Sequence, residues 1–180
     1  MAGEGAILIL TGPPGSGKTT TARALAAGAG RPAVHLHADD FWDRILCGRI
    51  DPWLPQSKAQ NQVAMNALAA AAAAYARGGY LVVVDGIVGP WFLEPFQALR
   101  LPLSYIVLRG PLQIAQQRIA AREAATPDAV KGDPIDIAGL HAQFADLGEL
   151  ERCVIDVTGL TLDQVLTAVR AAMYEPAFRL

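Results

Sequence analysis

The chain has 180 residues and is poor in cysteine and in net charge, and each shortage argues against a class of protein. Its two cysteines, Cys47 and Cys153, are far apart and match no metal-binding or redox spacing. We therefore expect no disulfide framework, and a protein of the reducing cytoplasm. The formal net charge of −2 provides no broad basic face, so we expect no nucleic-acid partner.

A long and strongly apolar run is also lacking. The first apolar run covers only residues 6–10 and no basic residue precedes it, so we expect no signal peptide. Residues 59–76 carry no charge and approach the length of a membrane span, but they include four side-chain amides and are otherwise rich in alanine. The stretch is therefore expected to be a soluble helix, and the protein to have no membrane partner.

What the sequence does contain is enough apolar material for one well-buried core. Of the residues 52% are hydrophobic, which excludes intrinsic disorder. A chain of this length typically forms one domain, and no linker or internal repeat interrupts it. We expect a single domain over residues 1–180, as a monomer or homodimer. Only 3 of the 15 basic residues are lysines, so each lysine is worth locating.

Short apolar runs alternate with longer helical segments, as βαβ units with a parallel sheet do. The runs are rich in Val, Ile and Leu without clean alternation, which is typical of strands covered on both faces. The predicted strands are residues 6–10, 33–37, 80–84, 103–108 and 153–157. The predicted helices are residues 18–29, 41–47, 58–77, 91–99, 112–125, 137–147 and 162–173. Ser57 is expected to cap the alanine-rich helix, and Thr161 with Gln164 to form a capping box on the last one.

A phosphate-binding motif lies between the first strand and the first helix. Residues 12–19 read GPPGSGKT and match G-x-x-x-x-G-K-[ST] in full. Glycines let the backbone curl so that its N–H groups face phosphate oxygens, and the start of the helix adds its positive dipole end. Lys18 is expected to reach the β- and γ-phosphates, and the Thr19 hydroxyl to bind Mg²⁺. The predicted nucleotide-binding residues are Gly12, Gly15, Ser16, Gly17, Lys18, Thr19 and Thr20.

With this motif the sequence resembles the P-loop kinases, in particular the shikimate- and gluconate-kinase type and the chloramphenicol-phosphotransferase-like small-molecule kinases. The resemblance covers nearly the whole chain, although only the loop is highly specific. It implies a three-layer α/β/α fold with a five-stranded parallel sheet of order 2-3-1-4-5 and a short lid. It also implies ATP and Mg²⁺ as cofactors.

Acidic residues follow two of the predicted strands, where ligands bind in open parallel sheets. Asp39 and Asp40 come after the second strand. The resemblance implies that an aspartate there accepts the proton of the acceptor hydroxyl; Asp39 fits the register better, with Asp40 second. The alternative is that both only cap the next helix. Asp85 ends the apolar run LVVVD, and we expect it to hold Mg²⁺ together with Thr19.

Arginines follow the fourth strand. Arg118 and Arg122 are four residues apart on one helix face. The resemblance places a base-stacking or phosphate-binding arginine here, so Arg118 is expected to bind the nucleotide and Arg122 to neutralise charge in the reaction. The alternative is a solvated basic face. A lid over residues 125–136, with Lys131 and Gly132 near its tip, would exclude water during transfer.

Aromatic residues mark the expected acceptor site. Residues 41–57 lie where the resembling kinases bind their acceptor, and they contain Trp42 and Trp53; Trp91 follows the third strand. Such walls suit a mostly apolar or sugar-like ligand, although tryptophans also occur in cores. Nucleoside-monophosphate kinases carry an arginine after the third strand that clamps the acceptor phosphate. This chain has Asp-Gly-Ile-Val-Gly there. Arg44 or Arg49 could substitute for the missing arginine, but the simpler inference is an acceptor without a phosphate.

His35 and His37 form an H-x-H pair on the second strand. Such a pair can bind a metal, but by sequence spacing only Asp39 offers a supporting carboxylate, so the spacing alone does not predict a metal site there.

Taken with the phosphate loop, these features predict an ATP-dependent kinase that phosphorylates a hydroxyl of a small molecule, with an antibiotic or a sugar as examples. Two alternatives stay open: a nucleoside or nucleotide kinase, and a nucleotide-binding switch or NTPase. A switch needs a water-positioning residue after the third strand, and residues 86–89 offer none.

Overall fold

Five parallel strands form the central sheet in a computed structural model, which describes residues 5–125 and 136–180. Along the sheet their order is β2-β3-β1-β4-β5, and every neighbouring pair is parallel. This confirms the α/β fold class and the strand order that the kinase resemblance implied. The strands are β1 (Ala6–Thr11), β2 (Ala33–His37), β3 (Leu81–Asp85), β4 (Leu103–Arg109) and β5 (Val154–Asp156).

Helices cover both faces of the sheet and bury two separate apolar cores. On one face, Ile9, Val84 and Val107 of the central strands pack with Met65 and Leu68 of the alanine-rich helix. The alternate residues of the same strands form the core of the other face with the first and last helices. The helices are α1 (Lys18–Ala27), α2 (Asp39–Asp43), α3 (Lys58–Arg77), α4 (Glu94–Gln97), α5 (Leu112–Ala125), α6 (Ile137–Gln143) and α7 (Leu162–Ala172).

Several helices differ from their predicted bounds. Three of them only end early: α1 at Ala27 instead of residue 29, α6 at Gln143 instead of residue 147, and α7 at Ala172 instead of residue 173. The helix predicted over residues 41–47 is α2, which begins two residues earlier and ends at Asp43. The helix predicted over residues 91–99 divides into a 3₁₀ turn at Pro90–Phe92 and the short α4. Pro95 explains this division, because in one continuous helix its ring would clash with the carbonyl of residue 91.

Helix ends follow the sequence signals in part. Thr161 and Gln164 form the predicted capping box on α7. Ser57 stands at the N-cap position of α3, but its side chain makes no capping bond, so that part of the prediction is wrong. Its hydroxyl donates instead to the carbonyl oxygens of Pro52 and Leu54, 2.8 and 2.7 Å away, which ties the preceding loop to the helix.

No helix within the described residues combines the length and the hydropathy that crossing a membrane requires. The uncharged part of α3 does not meet these requirements either, as its side-chain amides and many alanines predicted. The predicted lid, apart from its end residues Ala125 and Asp136, falls on residues 126–135, so Lys131 and Gly132 lie outside the described residues.

Alanine in α3 lets the helix lie close to the sheet, and a larger side chain there should be costly. Ala72 is fully buried against the sheet, whereas Ala70 on the same helix is exposed. We expect Ala72→Leu to lower the free energy of unfolding by about 1–3 kcal/mol through overpacking, measured by denaturant titration. Ala70→Leu is the matched control, and an equal loss in both variants would contradict the close packing.

Candidate active site

The phosphate loop joins the end of β1 to the start of α1 at the carboxyl edge of the sheet. Gly15 and Gly17 have φ of +78° and +90°, a region that side chains other than glycine rarely adopt. A Cβ on Gly15 would also lie 2.6 Å from the carbonyl oxygen of Ala115 on α5. The loop conformation therefore depends on glycine at these positions, as the motif predicted.

A hydroxyl inside the loop fits an anionic ligand. Ser16 is buried, and its Oγ has no hydrogen-bond partner among the described residues. Buried polar groups without partners are rare in proteins and call for an explanation. A phosphate oxygen in the loop would supply the missing partner, so the residues present fit a nucleotide phosphate. Thr20, by contrast, is exposed on the first turn of α1.

Thr19 and Asp85 meet as a candidate magnesium site. The Thr19 hydroxyl donates to Oδ2 of Asp85 at 2.5 Å, and Asp85 is fully buried at the end of β3. Burial opposes ionisation of this carboxyl, but hydrogen bonds from His35, His37 and Thr19 outweigh it and lower the pKa of Asp85. An ionised carboxylate next to a hydroxyl is a donor set that suits Mg²⁺.

Both histidines of β2 contact this carboxylate. His35 Nε2 hydrogen-bonds to Oδ1 of Asp85, and His37 Nδ1 lies 3.1 Å from the same oxygen. The other ring nitrogen of His37, Nε2, lies 3.3 Å from Oδ2 of Asp39. Hydrogen bonds to Asp39 and Asp85 raise the pKa of His37 to about 10 despite partial burial. His37 therefore links the candidate base to the candidate magnesium ligand.

Positive groups surround the loop. The Lys18 ammonium donates to the carbonyl oxygen of Pro13 at 3.3 Å. Burial lowers the pKa of Lys18, Asp39 and Asp85 act against that shift, and Arg122 adds to it. Arg122 thus lies close enough to act on Lys18, and Nη1 of Arg118 lies 3.4 Å from the carbonyl oxygen of Gly15. Arg118 therefore contacts the loop, and Arg122 lies near Lys18.

A shallow depression on the far side of the loop is a candidate surface for the nucleotide base. Gly15 and Arg118 line it together with Val157 and Thr158, which follow β5. The turn after β5 is held by Asp156, whose carboxylate accepts hydrogen bonds from the backbone N–H and the hydroxyl of Thr158.

Next to Asp39 lies a cavity of about 630 Å³. Three of its walls are the predicted tryptophans Trp42, Trp53 and Trp91, and Phe92 stands beside them. Trp42 is buried, whereas Trp53 and Trp91 are about half exposed. A volume in this range is typical of small-molecule sites. The three tryptophans therefore line one cavity, and Trp42 also belongs to the buried core.

The polar groups at the base of this cavity are already paired. The indole N–H of Trp42 donates to Oδ1 of Asn61 at 2.7 Å, and Nδ2 of Asn61 donates to the Pro52 carbonyl and the Ser57 hydroxyl. Both amide hydrogens of Asn61 are used, so this network supports the cavity wall and leaves that wall largely apolar.

Two cations line the described part of the cavity. The Lys58 ammonium is exposed and has no ion-pair partner among the described residues. Arg49 is the one guanidinium among the described lining residues, and it pairs with Asp43 at 3.5 Å and Asp51 at 3.1 Å. Both aspartates are exposed, but Asp39 lines the cavity, whereas Asp40 is not among the described lining residues. The geometry thus favours Asp39 over Asp40 as the group that meets an acceptor.

Several site residues were not found from the sequence. Thr11 donates to the carbonyl of Gly86 at 2.9 Å and accepts from the N–H of Val88 at 3.0 Å, which holds the loop after β3. The contact of His35 and His37 with Asp85 was also missed. Asn61, which holds the Trp42 indole, was missed as well. Its position as an amide within an apolar helix was a signal that could have identified it.

The comparisons with known proteins agree with this geometry. A family profile described as an AAA domain matches residues 8–133, which is most of the chain. The chain belongs to the AAA domain family. Its matched segment contains the phosphate loop, both histidines, Asp85 and the two arginines of α5. No curated protein matches the chain.

Among solved structures, this AAA-domain chain is similar to several kinases. A sugar kinase from Janibacter sp. HTCC2649 has a TM-score of 0.70 at 19% identity, with 94% of each chain covered. A gluconokinase from Sinorhizobium meliloti 1021 has a TM-score of 0.63 at 17% identity, covering 95% of this chain and 93% of that one. The Mycobacterium tuberculosis APS kinase, in complex with AMPPNP and APS, has a TM-score of 0.63 at 18% identity, covering 96% and 99%. At these identities the likeness shows the fold, which is that of the P-loop small-molecule kinases.

Proposed function

We propose that the protein is a kinase that transfers the γ-phosphate of ATP to a hydroxyl of a small molecule bound in the 630 Å³ cavity. One observation carries the proposal: Asp39 lines the cavity and contacts His37, which contacts Asp85 beside the phosphate loop. The candidate base therefore lies between the nucleotide side and the acceptor side of the site.

Each residue has a role in such a transfer. Lys18 and the loop N–H groups bind the phosphates, and Arg118 and Arg122 add positive charge. Thr19 and Asp85 hold Mg²⁺, which when bound neutralises charge on the phosphates. Asp39 accepts the proton as the acceptor oxygen attacks phosphorus. His37, held between two carboxylates, keeps Asp39 oriented.

The cavity also indicates the kind of acceptor. Its walls are aromatic, and its one guanidinium among the described residues is paired with carboxylates. A phosphorylated acceptor would find no free guanidinium in the described walls and only the exposed ammonium of Lys58, a point charge instead of a guanidinium fork, so the nucleotide-kinase alternative is disfavoured. We infer an acceptor without a phosphate and with an apolar or sugar-like face, such as an antibiotic or a sugar derivative.

The decisive experiment measures ATP turnover with and without a panel of hydroxylated compounds. A thermal-shift screen of metabolites and antibiotics, with a non-hydrolysable ATP analogue present, selects the panel. The kinase proposal expects turnover that depends on one acceptor class and yields a phosphorylated product. Brisk hydrolysis that no acceptor changes would instead support an NTPase or switch.

Replacing an exposed cavity tryptophan should affect acceptor binding. We expect Trp91→Ala to raise KM for the acceptor about 5- to 10-fold, because contact with an aromatic face contributes about 1 kcal/mol. The KM for ATP should change less than about 2-fold. Tyr174→Ala, which removes an exposed aromatic side chain elsewhere, is the matched control. An unchanged acceptor KM in Trp91→Ala would argue against this wall.

Several properties stay predictions. We predict a single domain over residues 1–180, a monomer or homodimer, and no nucleic-acid or membrane partner. Cytoplasmic localisation also stays a prediction. Both cysteines are free, and Cys47 is exposed whereas Cys153 is buried.

A further inference from the structure

His35, His37 and Asp85 form a compact cluster of side chains with metal-ligand chemistry. Each offers one nitrogen or oxygen atom that lies within 4.8 Å of the other two. Asp85 is fully buried, whereas the two histidine side chains are 17% and 24% exposed, so an ion could enter from solvent.

The backbone holds this cluster in place. His37 and Asp85 are direct partners in the parallel pairing of β2 with β3, so their side chains share one face of the sheet. His35 lies two residues before His37 and faces the same way. The three ligands are therefore presented by neighbouring strands of the sheet, a rigid support for a binding site.

Groups around the cluster resemble the outer contacts of metal sites. A metal-bound histidine typically donates its second ring N–H to a carboxylate, and a bound carboxylate is itself hydrogen-bonded. Here the second nitrogen of His37 faces Asp39 at 3.3 Å, and the second oxygen of Asp85 accepts from Thr19 at 2.5 Å. His37 Nδ1, His35 Nε2 and Oδ1 of Asp85 are left facing one another.

We propose that His35, His37 and Asp85 bind a dication of the zinc class, such as Zn²⁺ or Co²⁺, through Oδ1 of Asp85, the oxygen that does not bond to Thr19, next to the site of the nucleotide's Mg²⁺. Imidazole nitrogens suit these ions, whereas Mg²⁺ prefers oxygen ligands. Two neutral histidines and one carboxylate leave a coordination position open for water.

The separation of the ligand atoms and the charge of the cluster both bear on whether a dication fits. A tetrahedral ion with bonds of about 2.0–2.2 Å holds its ligand atoms about 3.3 Å apart. The distance from His37 Nδ1 to Asp85 Oδ1 is 3.1 Å, close to this value, whereas the shorter contact of His35 Nε2 with the same oxygen must lengthen to admit an ion. An ion that binds His37 displaces the proton that Asp39 and Asp85 hold on this ring, and the dication then neutralises the two carboxylates.

The competing explanation is that the histidines only donate hydrogen bonds to Asp85 and orient it. Conservative variants separate the two roles. His35→Gln and His37→Asn each keep a donor near the original ring nitrogen but remove the imidazole. His141→Ala is the matched control, because the third histidine bonds to the carbonyl of Gly110, away from the cluster.

The test titrates the untagged, chelator-treated, nucleotide-free protein with Zn²⁺ by calorimetry and with Co²⁺ by visible absorption. We expect one ion per chain, Co²⁺ absorption of a low-coordinate site, and at least about 100-fold weaker binding in His35→Gln and His37→Asn. Thermal unfolding verifies that each variant is folded. In the wild-type protein, Co²⁺ should broaden the ring NMR signals of His35 and His37 but not that of His141, a readout that needs no variant.

Binding that persists in both variants, or broadening that spares His35 and His37, would overturn the proposal, as would the absence of binding to the wild-type chain. Because the titration uses no nucleotide or acceptor, its result is independent of the proposed kinase activity. The kinase assay and the metal titration can therefore fail separately.

Discussion

Replacement of Lys18 by alanine will reduce kcat at least about 100-fold while leaving the fold intact. Lys18 follows Gly17 at the start of α1, beside the phosphate loop, and no other lysine belongs to the described loop. Removing a preorganised charge that stabilises a transferring phosphoryl group costs about 10²–10³ or more in rate. The measurement is a steady-state assay with the acceptor found in the screen.

The control for this variant is Arg23→Ala, which removes an exposed cation from the same helix. Its kcat should stay within about 2-fold of the wild type, and both variants should unfold at similar denaturant concentrations. Near-normal turnover in Lys18→Ala would contradict the assignment of residues 12–19 as the phosphate loop.

Replacement of Asp39 by asparagine will reduce phosphate transfer about 10²- to 10⁴-fold and leave binding of an ATP analogue nearly unchanged. Asparagine has the shape of aspartate but cannot accept the proton of the acceptor hydroxyl, and general-base catalysis contributes about that factor. Single-turnover kinetics measure the transfer step, and calorimetry measures nucleotide binding.

Asp40→Asn discriminates between the two neighbouring carboxylates. Asp40 is exposed and does not appear among the described residues that line the cavity, so this variant should keep most of its activity. Loss of transfer in Asp40→Asn with normal transfer in Asp39→Asn would reassign the base to Asp40. Normal transfer in both would show that neither aspartate acts as the base.

The fold was largely predictable because its signals are local. Apolar runs without alternation identified all five strands, with bounds that differ from the structure by one or two residues at most. The strand order came from the kinase resemblance, since spacing along the chain does not specify which strands pair. The prediction was wrong where a local feature was overlooked, as at Pro95, which divides the helix predicted over residues 91–99.

The site was predictable where its chemistry lies in one continuous segment. The phosphate loop is such a segment, because glycine conformations, the lysine and the helix start must follow one another along the chain. Asp85 was recognisable only as the end of an apolar strand, and its contact with Thr19 confirms that the two residues meet.

What the sequence alone determined was therefore the phosphate loop, the kinds of element and the candidate residues at the strand ends. Only the tertiary structure decided which of them meet. Parallel pairing places His37 beside Asp85, 48 residues further along the chain, and the packing of α2 and α3 brings Trp42 to Asn61. Such contacts depend on which strands pair and how layers pack, and neither leaves a spacing pattern in the sequence.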